Sequence, residues 1–216
     1  MINVEYYKSL IESLENKEIL VAVSKTKPIE AIKQVYQLGQ REFGENKVQE
    51  LLLKKEALPE DIKWHLIGPL QENKVNKVVG NVYLIHSVSK LKLAEKINRR
   101  AESLGIVQNI LLQMNISEEE TKSGFLVNDA FYEVFGSILA LKHIRVMGLM
   151  TMGPHVQNPD EIRRVFKQCK LLRDQLNRRY GCSLTELSMG MSGDYKIALE
   201  EGATRIRVGS AIFGER

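Results

Sequence analysis

Short apolar runs alternate along the chain with stretches in which apolar positions recur every three or four residues. The short runs predict buried strands, and the longer spaced patterns predict amphipathic helices. Strands are predicted at 19–25, 41–45, 62–68, 81–88, 109–116, 144–151, 186–190 and 205–213. Helices are predicted at 3–16, 29–38, 46–55, 73–79, 89–104, 129–141, 160–180 and 194–201. The first helix is additional to the alternating pattern, and Asn3 is expected to cap it.

Strict alternation of strands and helices indicates parallel strands joined by right-handed crossovers. Eight such units close into a (β/α)8 barrel. We therefore expect one TIM-like barrel domain over residues 1–216, preceded by the extra N-terminal helix. A doubly wound open sheet is the alternative, but no glycine-rich dinucleotide turn follows the first strand.

The end of the first strand carries a lysine. The apolar run 19–23 is unbroken, and Ser24 and Lys25 follow it directly. Because side chains alternate along a strand, Val21, Val23 and Lys25 share one face. A lysine at a strand end usually reaches solvent. A desolvated amine there could instead form a Schiff base with an aldehyde, so both interpretations stay open on this segment alone.

Two later loops suit a phosphate group. In (β/α)8 barrels, phosphate commonly lies between the loops after strands seven and eight. Ser192 opens a predicted helix, whose first N–H groups favour an anion, and Ser210 lies in the last predicted strand. Gly190 and Gly209 let the backbone approach a ligand closely. A helix cap and two ordinary turns would explain the same residues.

The last strand places Arg205, Arg207 and Gly209 on one face. An arginine inside a barrel is costly unless something pairs with it. A guanidinium group only donates hydrogen bonds, so a neutral ring nitrogen is a suitable partner. An aldehyde-accepting lysine, two phosphate loops and an arginine facing a ring nitrogen together describe a site for pyridoxal 5'-phosphate (PLP).

With these residues in place, the sequence resembles the pyridoxal phosphate homeostasis proteins, a family related to the N-terminal barrel of alanine racemase. Five motifs carry the resemblance in the family's order, at 22–28 (AVSKTKP), 43–46 (FGEN), 64–71 (WHLIGPLQ), 188–192 (SMGMS) and 207–214 (RVGSAIFG). The resemblance implies a Schiff base on Lys25. It implies further cofactor-binding positions at Asn46, Met189, Ser192, Arg207, Gly209 and Ser210. Lys47 departs from the family, in which an aromatic residue often follows Gly-Glu-Asn.

This resemblance also implies a function. PLP is the expected cofactor, no metal is expected, and the protein would take part in intracellular PLP homeostasis and supply, affecting amino-acid and keto-acid balance. Apo PLP-dependent enzymes are the expected recipients. The alternatives are a low-activity, racemase-like PLP enzyme and a barrel that binds phosphorylated sugars or nucleotides.

The resemblance and the chain length favour a carrier over an enzyme. Racemisation needs an acid/base group on each face of the substrate carbon. In the related racemases, the second group is a tyrosine from a second domain. The sequence ends at Arg216, soon after the last strand, so we expect no second domain and assign no catalytic residue.

Composition changes this picture little. The net charge is +4, but the 31 lysines and arginines are interleaved with 27 acidic residues and only 6% of residues are aromatic, so no nucleic-acid partner is expected. No apolar run is long enough to span a membrane, and no signal peptide is evident. Cys169 and Cys182 lack metal-ligand spacing. We expect a cytoplasmic monomer.

Several other polar residues receive weaker predictions. Lys27 and Lys122 stay open as second PLP acceptors, although a solvated loop lysine is the simpler interpretation of Lys122. His65 is expected to be a structural, hydrogen-bonded histidine. The remaining histidines show no partner in the sequence pattern; they are His86, His143 and His155.

Overall fold

Eight parallel strands close into a barrel in the order in which they occur along the chain, and β8 pairs with β1. The computed structural model describes residues 2–14, 18–117, 119, 123–154 and 156–214. The strands are β1 (Ile19–Val23), β2 (Glu42–Glu45), β3 (Lys63–Leu66), β4 (Leu84–Val88), β5 (Gln108–Gln113), β6 (Ile144–Met150), β7 (Glu186–Met191) and β8 (Arg205–Val208). The predicted (β/α)8 barrel is confirmed, and the open sheet is excluded.

Helices occupy the connections between the strands. They are α1 (Val4–Glu12), α2 (Ile29–Gln37), α3 (Val48–Ala57), α4 (Val75–Val78), α5 (Leu91–Ser103), α6 (Asp129–Leu139), α7 (Pro159–Tyr180), α8 (Tyr195–Glu200) and α9 (Ser210–Phe213), with a 3-10 turn at Glu72–Lys74. The extra helix α1 is confirmed, and Asn3 Oδ1 caps it by accepting from the Tyr6 N–H at 3.0 Å. Within the described ranges, no helix combines the length and apolarity needed to cross a membrane.

The strands separate two apolar regions. Outward residues such as Phe43, Ile85 and Ile110 are fully buried in the main core between the barrel and its helices. Leu84 and Leu111 alternate with residues of that core, so they face the barrel interior, where they form a small cluster with Met150. The rest of the interior, towards β2, β3, β7 and β8, holds polar side chains.

The last strand is shorter than predicted. The pattern predicts a strand over 205–213, but β8 ends at Val208, and residues 210–213 form helix α9. A short apolar run without clear periodicity fits either element. The apolar residues Ile212 and Phe213 of this helix are buried in the core, and the Ile212 carbonyl accepts from the Asn3 N–H at 2.7 Å. The correction places Gly209 directly before α9 and Ser210 at its first position, rather than both inside a strand.

Candidate functional site

Lys25 lies in a strained turn just beyond β1. The Ser24 N–H still donates to the Gly44 carbonyl of β2 at 3.0 Å, so the chain follows its neighbouring strand up to that point. Thr26 then adopts a positive φ of 65°, which is unfavourable for a β-branched residue. The Thr26 N–H donates to Glu50 Oε1 of α3 at 2.6 Å. Helix α3 therefore stabilises the strained conformation that follows Lys25.

A buried polar network supports this turn from the outer side of the barrel. Ser24 Oγ donates to Glu45 Oε1 at 2.6 Å. Lys54 Nζ, from α3, donates at 2.7 Å to each of three oxygens, which belong to the Ser24 carbonyl, Glu45 and Glu50. Burial raises the pKa of Glu45, although Lys54 and Ser24 act in the opposite direction. Both residues adjacent to Lys25 are therefore tied to α3 without any contact to its amine.

The Lys25 side chain is partly buried, and no hydrogen bond or ion pair joins its amine to another described residue. Lys25 lies two residues beyond β1, in which Val21 pairs with Arg207 of β8 in the sheet register. Lys27, two residues later, donates to the Gly214 carbonyl at 2.8 Å. Lys25 thus presents the more available amine of the two. Lys122 and His155 lie outside the described residues.

Arg207 is buried with neutral acceptors only. Its Nη1 donates to Ser188 Oγ at 2.7 Å, and its Nη2 donates to the Thr151 carbonyl at 3.0 Å. No carboxylate among the described residues forms an ion pair with it. Burial lowers the pKa of Arg207 to about 10, while Asp194 acts in the opposite direction. The group therefore stays charged at neutral pH, and its charge is uncompensated by any direct ion pair.

Arg205 shares that face of β8 but has a different environment. Its guanidinium forms an ion pair with Glu42 and a second with Glu186, the latter at 2.9 Å. The two arginines are separated by a single residue, but their partners differ. Arg205 is satisfied by carboxylates, which indicates a structural role, whereas Arg207 has donors to spare because guanidinium carries five N–H groups.

The predicted phosphate residues lie at adjacent strand ends. Strands β7 and β8 are neighbours in the barrel, so Ser192 follows one strand while Gly209 and Ser210 follow the other. Ser192 is partly buried and Ser210 is exposed. A Cβ on Gly209 would lie 2.9 Å from the Val23 carbonyl oxygen, so only glycine allows the backbone to approach β1 this closely.

The loop that carries Ser192 is tightly folded. The Met191 N–H donates to Asp194 Oδ1 at 2.6 Å, and the Asp194 N–H donates back to the Met191 carbonyl at 3.1 Å. Gly190 has a φ of 89°, and a Cβ there would lie 2.6 Å from the Ala198 Cβ. These contacts fix the backbone on both sides of Ser192.

Asn46 and Met189 differ in what they can contribute to a site. Asn46 is partly buried after β2, and a Cβ on Gly68 would lie 2.4 Å from its carbonyl oxygen, so the loops after β2 and β3 meet there. The Met189 side chain is fully buried in the main core, on the opposite face of β7 from Ser188. Its side chain is therefore a core residue, and its main chain alone is available to a ligand.

Two buried histidines were not linked to the site by the sequence pattern. His65 Nδ1 lies 2.9 Å from His86 Nε2, and His86 Nδ1 lies 2.9 Å from Ser188 Oγ. His65 is hydrogen-bonded as expected, but the interpretation of His86 as partnerless is wrong. Strands β4 and β7 are not neighbours, so this contact crosses the barrel interior, and alternation along one strand cannot reveal it.

His143 also has partners. Its main-chain N–H donates to Asn98 Oδ1 at 2.8 Å, and its ring Nε2 lies 3.9 Å from Glu102 Oε1. These contacts lie between α5 and the start of β6, at the N-terminal ends of the strands. His143 is therefore a surface residue remote from the strand ends that carry Lys25 and Ser192.

Comparison with known proteins identifies relatives over the whole chain. The family model for the N-terminal domain of alanine racemase matches residues 3–216. The pyridoxal phosphate homeostasis protein of Aquifex aeolicus (strain VF5) is 46% identical over 203 residues, which cover 94% of this chain and 89% of the relative.

Solved structures agree with this result. PipY of Synechococcus elongatus PCC7942 is 38% identical, and the match covers 97% of this chain and 99% of PipY. The TM-score is 0.93 for PipY without PLP and 0.90 for PipY with PLP bound. An alanine racemase of Clostridium difficile 630, at 16% identity, has a TM-score of 0.82 and shares the fold over 100% of this chain and 58% of its own.

Proposed function

The chain belongs to the family of pyridoxal phosphate homeostasis proteins, and we propose that it binds PLP as a Schiff base on Lys25 and takes part in storing and supplying the cofactor. One observation carries the proposal. The Lys25 amine, just beyond β1, has no partner among the described residues, and the buried Arg207 guanidinium, on the paired strand β8, has no carboxylate partner among them.

PLP supplies an aldehyde, which condenses with a primary amine and releases water. The bond is reversible, so it restrains a reactive aldehyde yet lets another amine replace the lysine. The chain contributes a fixed amine, because Ser24 and Thr26 on either side of Lys25 are both held by α3. Fixing the backbone limits the conformational entropy that Lys25 would lose on binding.

Ser192, Ser210 and the backbone of Gly209 are proposed to hold the phosphate. Hydroxyl and N–H donors to a phosphate form charge-assisted hydrogen bonds, which are stronger than neutral ones. Gly209 packs against the end of β1, where a Cβ would lie 2.9 Å from the Val23 carbonyl oxygen, so its backbone lies close to the turn that carries Lys25. Asn46 and the main chain of Met189 are proposed to complete the lining.

Arg207 is proposed to face the pyridine nitrogen of PLP, and this favours a carrier over an enzyme. A ring nitrogen that accepts a hydrogen bond from guanidinium stays unprotonated, which weakens the cofactor as an electron sink. The homeostasis name of the Aquifex relative agrees with that interpretation. Cytoplasmic location, a monomeric state, supply to apo PLP enzymes and the resulting effects on amino-acid and keto-acid balance are parts of the same proposal.

The direct test is chemical trapping on Lys25. We expect the purified protein with PLP to show a Schiff-base absorption band, and reduction with borohydride to label a peptide that contains Lys25. Lys27→Ala is the matched control, since it removes a lysine from the same turn. We expect Lys27→Ala to keep the band and Lys25→Ala to lose it. An unchanged band in Lys25→Ala would refute the assignment, and no band in the unsubstituted protein would favour a site for phosphorylated sugars or nucleotides.

A second measurement separates the carrier from a racemase-like enzyme. The loaded protein should activate an apo PLP enzyme, and Lys25→Ala should not. Incubation with L- or D-amino acids in deuterated water should give no more exchange at the α-carbon than free PLP gives. Rapid, stereospecific exchange that depends on Lys25 would make the protein an enzyme.

A further inference from the structure

A row of polar side chains in successive contact crosses the barrel interior and ends at Arg207. Its members come from five different strands, β2, β3, β4, β7 and β8. They are Glu42, His65, His86, Ser188 and Arg207. Each successive contact is 2.7–3.0 Å long, and both histidines are fully buried. Among the described residues, no other acceptor contacts the ring nitrogens of the two histidines in this row.

The carboxylate end sets the direction of the hydrogen bonds, because the Ser188 hydroxyl has two lone pairs and Arg207 occupies only one of them. Guanidinium only donates, so Ser188 Oγ accepts from Arg207. His65 Nε2 lies 3.0 Å from Glu42 Oε2 but outside hydrogen-bonding geometry; because a carboxylate offers no proton, this contact favours the tautomer with the proton on Nε2. A neutral imidazole has one donor and one acceptor. His65 Nδ1 must then accept from His86 Nε2–H, and His86 Nδ1 must accept from the Ser188 hydroxyl.

The charges around this row of side chains favour neutral rings on both histidines. Burial alone would raise the pKa of Glu42, but His65, Arg205 and Lys63 lower it to about 2, so the carboxylate is ionised. Burial lowers the pKa of His65, with Glu42 acting in the opposite direction. Burial also lowers the pKa of His86, and the positive charges of Arg207 and Arg205 add to that effect. A proton on His86 would bring a second positive charge towards Arg207.

We propose that Ser188, His86 and His65 are positioning residues for Arg207, and that they form a one-way hydrogen-bond chain which orients its guanidinium towards the ring nitrogen of PLP. This inference rests on the proposed function. A serine hydroxyl rotates freely by itself, but one that donates to His86 has its lone pairs fixed. A carboxylate could also orient Arg207, but it would neutralise the charge. The histidine chain orients the guanidinium and leaves its charge available to a ligand.

The first test needs no cofactor. The sequence has four histidines, so nitrogen-15 NMR of histidine-labelled apo protein can resolve each ring. We expect both buried rings to be neutral Nε2–H tautomers, with those protons slow to exchange and Nδ1 unprotonated at neutral pH. An Nδ1–H tautomer or a charged ring at His65 or His86 would overturn the chain.

The second test uses variants of Ser188 in the presence of PLP. Ser188→Ala should bind PLP about tenfold more weakly, because the guanidinium loses one charge-assisted hydrogen bond that fixes its orientation. It should also change the pH dependence of the bound cofactor's absorption band. Ser188→Thr, which keeps a hydroxyl, should restore both properties. Ser87→Ala is the matched control, since Ser87 is a buried serine whose hydroxyl has no partner among the described residues.

The outcomes are distinct. A Ser188→Ala protein with the same affinity and the same band-versus-pH profile as Ser87→Ala would overturn the positioning role. If Ser188→Ala does not fold, Ser188→Cys takes its place, because a thiol is a much weaker donor and acceptor. If the unsubstituted protein binds no PLP, the proposed function fails and the positioning role falls with it, while the NMR result still decides whether the hydrogen-bond chain exists.

Discussion

Lys54→Met tests the network that holds the Lys25 turn. Lys54 is 5% exposed, and its ammonium bridges α3 to the ends of β1 and β2 through Ser24 and Glu45, and also pairs with Glu50 of its own helix. Methionine has a similar length and fills the same space without a charge or a donor. The substitution therefore removes three hydrogen bonds and leaves the fully buried Glu45 carboxylate without its cation.

The magnitude follows from that buried carboxylate. Removing one partner of a buried ion pair costs about 3–5 kcal/mol, because the remaining charge is uncompensated. The loss is a large part of an ordinary domain stability of roughly 5–15 kcal/mol. Without Lys54, burial of Glu45 is opposed by the Ser24 hydroxyl alone, so the carboxyl favours its protonated form more strongly. The deficit should therefore be absent while Glu45 is protonated in both folded proteins, and grow as pH rises through the raised pKa of Glu45 in the unsubstituted protein towards the still higher pKa in Lys54→Met.

Urea unfolding, followed by far-ultraviolet circular dichroism, measures the effect. Lys55→Met is the matched control, because Lys55 is the next residue of α3 and its one hydrogen bond among the described residues is to Asn81 Oδ1, at 3.0 Å. We expect Lys55→Met to lose about 1 kcal/mol or less. Adding Glu45→Gln to Lys54→Met should recover part of the stability, because it removes the uncompensated charge. A Lys54→Met deficit no larger than that of Lys55→Met, or one independent of pH, would refute the reasoning.

Two further predictions concern the phosphate and Glu42, at the N-terminal end of β2. Ser210→Ala should weaken PLP binding about ten- to a hundredfold and leave unphosphorylated pyridoxal nearly unchanged, since one charge-assisted hydrogen bond is worth roughly 1.5–3 kcal/mol; equal losses for both ligands in equilibrium titrations would contradict it. The pKa of Glu42 is lowered from 4.5 to about 2, so its stabilising contribution is present above 4.5 and is lost as pH falls through 2. Glu42→Gln should be the less stable protein at neutral pH, and unfolding measured across acid pH should show the difference closing in that window; a constant difference would argue against the assignment.

Periodicity along single strands accounts for much of what the sequence could predict. The period of two placed Val21, Val23 and Lys25 on one face, and the sheet register puts that face opposite Arg207. The alternation of elements predicted the barrel itself. The same reasoning was wrong at 205–213, because an apolar run at the end of a strand does not distinguish a further strand from one turn of buried helix.

Periodicity could not predict contacts between strands that are not neighbours, or contacts between a helix and the outer face of the barrel. His86 meets Ser188 across the barrel, and Lys54 reaches Glu45 from a helix that covers the outside of the barrel. Such pairs depend on barrel closure and on the docking of helices, and neither leaves a period in the sequence. A lysine on an amphipathic helix is normally solvated, so Lys54 gave no signal of its burial.

The contrast between Arg205 and Arg207 shows how the structure distinguishes a structural arginine from a candidate ligand-binding arginine on the same strand. In the sequence, the two residues are equivalent inward-facing arginines. In the barrel, Arg205 is neutralised by carboxylates at the N-terminal ends of the strands, while the partners of Arg207 among the described residues are one hydroxyl and one carbonyl. A buried charge that lacks a counterion is costly, so the fold retains it most readily where a ligand completes its environment. Within the described part of the chain Lys25 lacks a partner too, and a phosphorylated aldehyde with a ring nitrogen is a single molecule that would satisfy both residues.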